Sequence, residues 1–258
     1  MEKRPEPRRK PEPADARRRP DRADAPRRPD GADARRRPDG ADARRRRAPD
    51  VDDPLAPLRR PEWLAEARRK AIHVSFLVLP LVLLLEPLPW PNSRGEFRVL
   101  FLGLTAAAIA LDVLRIHERR VRTFFRRFFG EMIRQHEELS LLGSTYLLLA
   151  ALIAIEVFPQ PVAAVALGFT VLGDATSALV GRAWGRHRIF SKSWEGAAGC
   201  LAACLAWAAC VTHAAGLPWP VTIAGAVVAT VIEALPIPLD DNLGITLAAG
   251  YTMKLMAG

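Results

Sequence analysis

The sequence predicts an all-α fold: a polytopic integral membrane helix bundle of about seven transmembrane helices, with a disordered basic N-terminal tail. Three observations predict it. Apolar runs of 16–20 residues recur from about residue 71 onward, lengths that suit membrane spans. Positive charge is concentrated in alternate loops between those runs. The composition also divides: residues 1–60 hold 20 of the 37 Lys+Arg and 13 of the 28 Asp+Glu, and so carry +7 of the net +9. The near-zero mean hydropathy is therefore the average of two unlike parts. Domain boundaries are expected at 1–60 for the tail and 61–258 for the membrane domain.

The tail repeats Ala-Asp-Ala-Arg-Arg-Arg-Pro-Asp, with drift, from Ala14, Ala23, Ala32 and Ala41. It is rich in proline and poor in apolar residues, so it buries too little surface to offset the entropy of ordering. Its period of nine is not that of a solenoid. Such a segment is either a basic arm for anionic headgroups or nucleic acid, or a solvated low-complexity expansion. The second is favoured because an aspartate interrupts nearly every Arg cluster, and no nucleic-acid partner is expected. No apolar stretch follows the first basic residues, so no cleavable signal peptide is expected. Cys200, Cys204 and Cys210 share one apolar segment without metal-ligand spacing, and should be small buried residues.

Helices are expected at about 71–89, 97–114, 139–158, 161–181, 196–216, 221–236 and 242–257. The sixth ends at Pro236 and Pro238, and Trp90 and Trp219 lie at chain turns as interface anchors. The 115–138 loop carries Arg115, Arg119, Arg120, Arg122, Arg126, Arg127 and Arg134. The 182–195 loop carries Arg182, Arg186, Arg188 and Lys192. The alternate loops hold one Arg in total. Positive residues stay in the cytoplasm, so the N-terminus is expected inside and the C-terminus outside. In a bacterium this would be the inner membrane.

That orientation brings Arg69, Lys70, His73, Asp112, Asp174, Lys192, Glu195, Asp240, Asp241 and Asn242 to one membrane face, as a cytoplasmic-facing active site would require. Within the 115–138 loop, Val121, Phe124, Phe125, Phe128, Phe129 and Met132 share one helical arc and Arg119, Arg120, Arg126 and Arg127 the other. This is either an interfacial helix on an anionic leaflet or a helix packed on the bundle.

Asp174 is the most informative residue. A carboxylate in a membrane helix costs roughly 2.5–3.5 kcal/mol at mid-helix, so it usually faces a cavity and has a function. Thr170, Asp174, Ser177, Ala178 and Gly181 recur at three or four residues and share a face of small groups. Arg182, Arg186, Arg188 and Lys192 follow and would hold phosphates by charge-assisted hydrogen bonds. Ser193 precedes a helix whose N-terminal amides would receive phosphate, or simply caps it, with Glu195 favouring the dipole. Asp240 and Asp241 form a second acidic pair, suited to Mg²⁺ with Glu233 as a further ligand and Asn242 beside them, although by itself such a pair is more often a solvated turn. His73, with Arg69 and Lys70, would contact substrate phosphate; a lone histidine at a helix start is more often structural.

Read in order, these segments resemble the polyprenol and lipid-alcohol kinases: dolichol kinase, phytol kinase and CTP-dependent diacylglycerol kinase. The resemblance runs from about residue 66 to the C-terminus. It is carried by Arg69-Lys70-Ala71-Ile72-His73, Gly143-Ser144-Thr145-Tyr146, Leu172-Gly173-Asp174 and Gly181-Arg182-Ala183-Trp184-Gly185. It continues through Lys192-Ser193-Trp194-Glu195-Gly196, Glu233 and Asp240-Asp241-Asn242-Leu243. The chain departs from the pattern at Gly244-Ile245-Thr246.

The resemblance implies CTP as phosphoryl donor, a divalent cation such as Mg²⁺, and a polyprenol, phytol-like alcohol or diacylglycerol as acceptor in the bilayer. It implies Asp174 and Asp241 as metal ligands or base, with Asp240 as a further ligand and Lys192 in the catalytic set. Arg69, Lys70, His73, Arg182, Arg186, Ser193 and Gly196 would contact substrate, while Asn242 and Glu195 would orient their neighbours. Ser75 and Phe76 would border the lipid tail. The family is itself similar to CDP-diacylglycerol synthase, most closely over Lys192–Gly196, so a cytidylyltransferase remains an alternative. A transporter or non-catalytic membrane protein is the other-class alternative, although the internal duplication expected of a transporter is absent from the sequence.

Overall fold

A computed structural model describes residues 56–59, 61–86, 89–129 and 140–258. The repeat tail, Met132 and Arg134 lie outside the described residues. A short 3₁₀ turn, Ala56–Arg59, leads into α1 (Pro61–Ser75) and α2 (Val78–Leu85). Then come α3 (Arg94–His117), α4 (Arg119–Phe129), α5 (Gly143–Val157) and α6 (Gln160–Trp184). A hairpin of two-residue strands, β1 (Arg188–Ile189) and β2 (Lys192–Ser193), pairs antiparallel with Arg188 opposite Ser193. The chain closes with α7 (Trp194–Ala215), α8 (Trp219–Ala234) and α9 (Asp241–Ala257).

The fold is thus helical, apart from one small ladder that the sequence reading does not contain. Among the described residues three helices, α3, α6 and α7, are long and apolar enough to cross a membrane, and α5 and α8 are shorter apolar helices.

The single helix expected over 71–89 is instead two. Pro80 has no N–H, and its ring opposes the carbonyl of Phe76 four residues earlier, so a continuous helix is broken there. Phe76 N–H bonds His73 O at 3.1 Å and Leu77 N–H bonds Val74 O at 2.9 Å, closing α1 one turn before the proline.

Helix α6 is the axis of the bundle, packed against α1, α2, α5, α7, α8 and α9. Some 72% of its apolar window is buried, against 22% for α3. Glycines set the closest approaches. A Cβ on Gly168 would lie 2.0 Å from Trp207 Nε1, which donates to Val165 O at 3.2 Å. Phe158, Phe169, Trp207 and Met253 fill the core on one side, and Phe97, Phe101, Leu147 and Leu167 on the other. Cys200 and Cys204 are buried as expected, but Cys210 is exposed on the outward side of α7.

Helix ends are satisfied across elements. Helix α5 starts at Leu142, which has no capping side chain. Asp112 of α3 supplies the cap, accepting from Leu142 N–H at 2.9 Å and Thr145 Oγ1 at 2.7 Å. The other Asp112 oxygen accepts from Arg115 at 3.1 Å, and Arg115 donates on to Ser140 O at 2.7 Å. At the far end of α5, Arg94 donates to Ile155 O and Glu156 O, and Lys254 to Val157 O, all at 2.9 Å. Cations there meet the negative end of the helix dipole.

Candidate functional site

The polar residues of α1 reach α6 because Trp63, Glu66, Lys70 and His73 recur at three or four residues and share a face. Trp63 Nε1 donates to Leu179 O at 3.2 Å, fixing the helix in place. Lys70 donates to Asp174 Oδ2, and His73 Nε2 lies 3.5 Å from the same oxygen. Glu66, buried, accepts from Arg69 and from Arg182 at 2.8 Å. Sequence reasoning passed over Glu66; its only sign there is its place one turn before Lys70.

Across the site, Lys192 of β2 points at the end of α8 and the start of α9. Its Nζ lies 2.9 Å from Glu233 Oε1 and 3.1 Å from Asp241 Oδ2, and it donates to Glu233 O. Burial acts to lower Lys192, but the Glu233 and Asp241 carboxylates outweigh it and hold the ammonium above its ordinary pKa. Ser177 of α6 donates to Glu233 Oε1 at 2.7 Å. Ser193 caps α7, its Oγ accepting from Gly196 N–H at 3.1 Å.

Asp240 caps α9 through Asn242 N–H at 2.9 Å, and Asn242 Nδ2 donates to the same oxygen at 2.9 Å and to Gly143 O at 3.2 Å. Burial pushes the Asp240 carboxyl above its usual range, and the Asp241 and Asp174 charges add to this against the Asn242 bonds. Glu233 Oε2 and Asn242 Oδ1 are buried with no hydrogen-bond partner among the described residues.

Two cavities meet on these residues. One, of about 400 Å³, is walled by Ile72, Phe76, Leu111, Phe125, Phe129 and Leu142, with Lys70, His73, Asp240 and Asn242 on its polar side. The other, of about 630 Å³, is lined by Ser177, Gly181, Arg182, Gly185, Arg188, Lys192, Ser193 and Glu233. Asp174 and Asp241 line both. A mostly apolar chamber and a cation-lined chamber are therefore separated by two carboxylates.

Most of the expected site residues lie here, but not all. Arg186 is exposed and lines neither cavity, while Arg188 does line the polar one, because the β1–β2 hairpin folds the loop back over the end of α6. Glu195 also lines neither; it pairs with His187, its Oε1 2.7 Å from His187 Nδ1. Gly196 enters through its backbone and its lack of a side chain: a Cβ there would lie 2.9 Å from Ser177 O.

The trio Asp174, Asp240 and Asp241 is not a preformed cage. Among the described residues no group of three or more His, Cys, Asp and Glu is placed to hold a metal. Lys70 and Lys192 occupy the inner oxygens of Asp174 and Asp241. The donor set still suits Mg²⁺, which is commonly bound by one or two carboxylates together with substrate phosphates and water. The two unpartnered oxygens, Glu233 Oε2 and Asn242 Oδ1, are hard donors of the same kind.

No known family profile matches this chain, and no solved structure matches it. The chain is similar to an uncharacterized protein of Rickettsia prowazekii, 28% identical over 134 residues, which cover 51% of this chain and 63% of that protein. It is also similar to CTP-dependent diacylglycerol kinase 1 of Schizosaccharomyces pombe, 26% identical over 208 residues, 74% of this chain and 93% of that protein. The chain thus spans less than two thirds of the first relative and nearly all of the second.

Proposed function

We propose that this protein is an integral membrane kinase that transfers the γ-phosphate of CTP to the hydroxyl of a lipid alcohol at the cytoplasmic face. The observation that carries the reading is the pair of cavities, apolar and cationic, sharing Asp174 and Asp241. A phosphotransferase between a lipid and a nucleotide needs that juxtaposition, because its main work is positioning and charge stabilisation. The similarity to a yeast enzyme named as a CTP-dependent diacylglycerol kinase supports the donor and the acceptor class.

In this reading residues 61–258 form the kinase domain, the seven apolar stretches cross or line the bilayer, and the N-terminus is cytoplasmic. The triphosphate lies in the polar chamber against Arg182, Arg188 and Lys192, with the Ser193-capped start of α7 facing it. Asp241 and Asp240 would hold Mg²⁺, which would supply neutralisation of phosphate charge there. The lipid hydroxyl enters from the apolar chamber near His73 and Lys70. Its oxygen attacks the terminal phosphorus, the bond to the bridging oxygen breaks, and CDP leaves. Asp174 and Asp241 divide between them the acceptance of the hydroxyl proton and the holding of the cation.

The test uses purified membranes, Mg²⁺, mixed lipid alcohols and phosphatidate, with CTP labelled at the α or the γ position. Label from the γ position in extracted lipid is expected. Label from the α position would instead mean a cytidylyltransferase, and no lipid label with CTP or ATP would overturn nucleotide-dependent transfer.

A further inference from the structure

Among the described α-helices, α4 is placed unlike the others. None of its residues is buried, although five of its eleven side chains are Val or Phe. Those five form one arc at 100° per residue. The arc has two edges with different surroundings. Phe125 and Phe129 line the wall of the apolar cavity. Phe124 and Phe128 turn away from it, 54% and 60% exposed, and stack on each other with centroids 4.6 Å apart.

The opposite arc carries Arg119, Arg120, Arg126 and Arg127, all exposed, and α4 contains no acid. Arg120 and Arg127 project next to the Phe124–Phe128 edge, where long side chains reach headgroups while rings enter the acyl boundary. The helix is held at its start: Arg122 donates to Ile116 O and caps the end of α3. Exposed paired rings beside Arg120 and Arg127, on a helix that itself carries no acid, match a bilayer surface with anionic headgroups.

We propose that α4 docks on an anionic membrane surface through Phe124, Phe128, Arg120 and Arg127, and that this docking positions the Phe125–Phe129 wall of the acceptor cavity. One helix then presents one edge to the membrane and the other to the cavity, so surface charge acts on acceptor access. The docking stands on α4 alone; the effect on access rests on the phosphotransfer reading above.

The full-length protein carrying Cys210→Ser is labelled at Phe124→Cys or at Phe128→Cys with an environment-sensitive fluorophore; Cys200 and Cys204 are buried. It is placed in nanodiscs of phosphatidylcholine, alone or mixed with phosphatidylglycerol. A blue shift that grows with the anionic fraction and shrinks with salt is expected. Arg120→Glu/Arg127→Glu should lose the shift, and Arg120→Lys/Arg127→Lys should keep it. Identical emission in neutral and anionic discs, or an undiminished shift in the charge-reversed variant, would overturn the docking.

Turnover of a lipid alcohol is read in the same discs with unlabelled protein. A lower acceptor KM in anionic discs, lost on charge reversal, is expected. Docking without any such change would overturn the coupling to the cavity. Absence of turnover in every disc would count against the kinase reading and against the effect on access, while the emission data would still decide docking.

Discussion

The ammonium of Lys192 lies 2.9 Å from the buried carboxylate of Glu233, and the same nitrogen reaches Asp241 at 3.1 Å. One cation therefore ties the hairpin before α7 to the end of α8 and the start of α9. In the proposed function this lysine, placed between two carboxylates, is a cation held ready for phosphate.

Lys192→Met should lower kcat by about 10²–10³-fold, the usual effect of removing one donor to developing charge. Labelled-CTP turnover checks this. Stability gives a second readout. The folded pKa of Lys192 is raised, so its contribution is fully present below the ordinary lysine value of about 10.4 and is lost as pH rises through the folded value. The difference in unfolding free energy between parent and Lys192→Met should be flat near neutral pH and shrink only in strong alkali.

Asp174→Asn should abolish turnover while membrane insertion is kept, since Asn fills the same volume and still offers Lys70 an acceptor. Its melting temperature should fall, because Lys70 is left as a buried cation without its anion, a change that typically costs about 3–5 kcal/mol. Lys70→Met/Asp174→Asn should recover much of the stability and none of the activity. Turnover retained in Asp174→Asn would remove Asp174 from the chemistry.

Asp112 and Arg115, 2% and 3% exposed, make the complementary case of a buried pair that lines neither cavity itself, although Leu111 and Leu142 beside Asp112 line the apolar one. Asp112→Ala strands Arg115 and uncaps α5, so a loss of about 3–5 kcal/mol is expected. Asp112→Ala/Arg115→Met should recover all but the cap, worth about 1 kcal/mol. Thermal unfolding in detergent measures both.

Gly185→Ala should damage the polar chamber. Its Cβ would lie 2.2 Å from Gly181 O and 2.7 Å from Ser193 Oγ. Overpacking of this kind costs about 1–3 kcal/mol, and displacement of the Ser193 cap should raise the nucleotide KM. Gly103→Ala, with no atom within 4 Å of the new Cβ, is the control and should be neutral or mildly stabilising.

Much of the site was legible in sequence where chemistry is expensive. An acid inside an apolar stretch, and acids and cations at the ends of successive helices, announce themselves because a bilayer tolerates them poorly. The split between α1 and α2 was not read: one helix was expected over 71–89, although Pro80 marks the break. Pairings across elements were not legible. Asp112 caps a helix thirty residues away, and Glu66 meets Arg182 only because α1 lies on α6. No local pattern encodes either contact. The exchange of Arg186 for Arg188 has the same origin: the loop shows four cations, and a two-residue ladder decides which of them turn inward.

The two chambers are made by different stretches of chain. The apolar one takes its walls mainly from α1, α3, α4 and the start of α5, while the polar one is framed mainly by the end of α6, the hairpin and Glu233. Only the shared carboxylates belong to both. On the phosphotransfer reading proposed above, acceptor preference can diverge among descendants without disturbing the donor half, and a chimera exchanging residues 111–144 should change its lipid preference and keep its nucleotide.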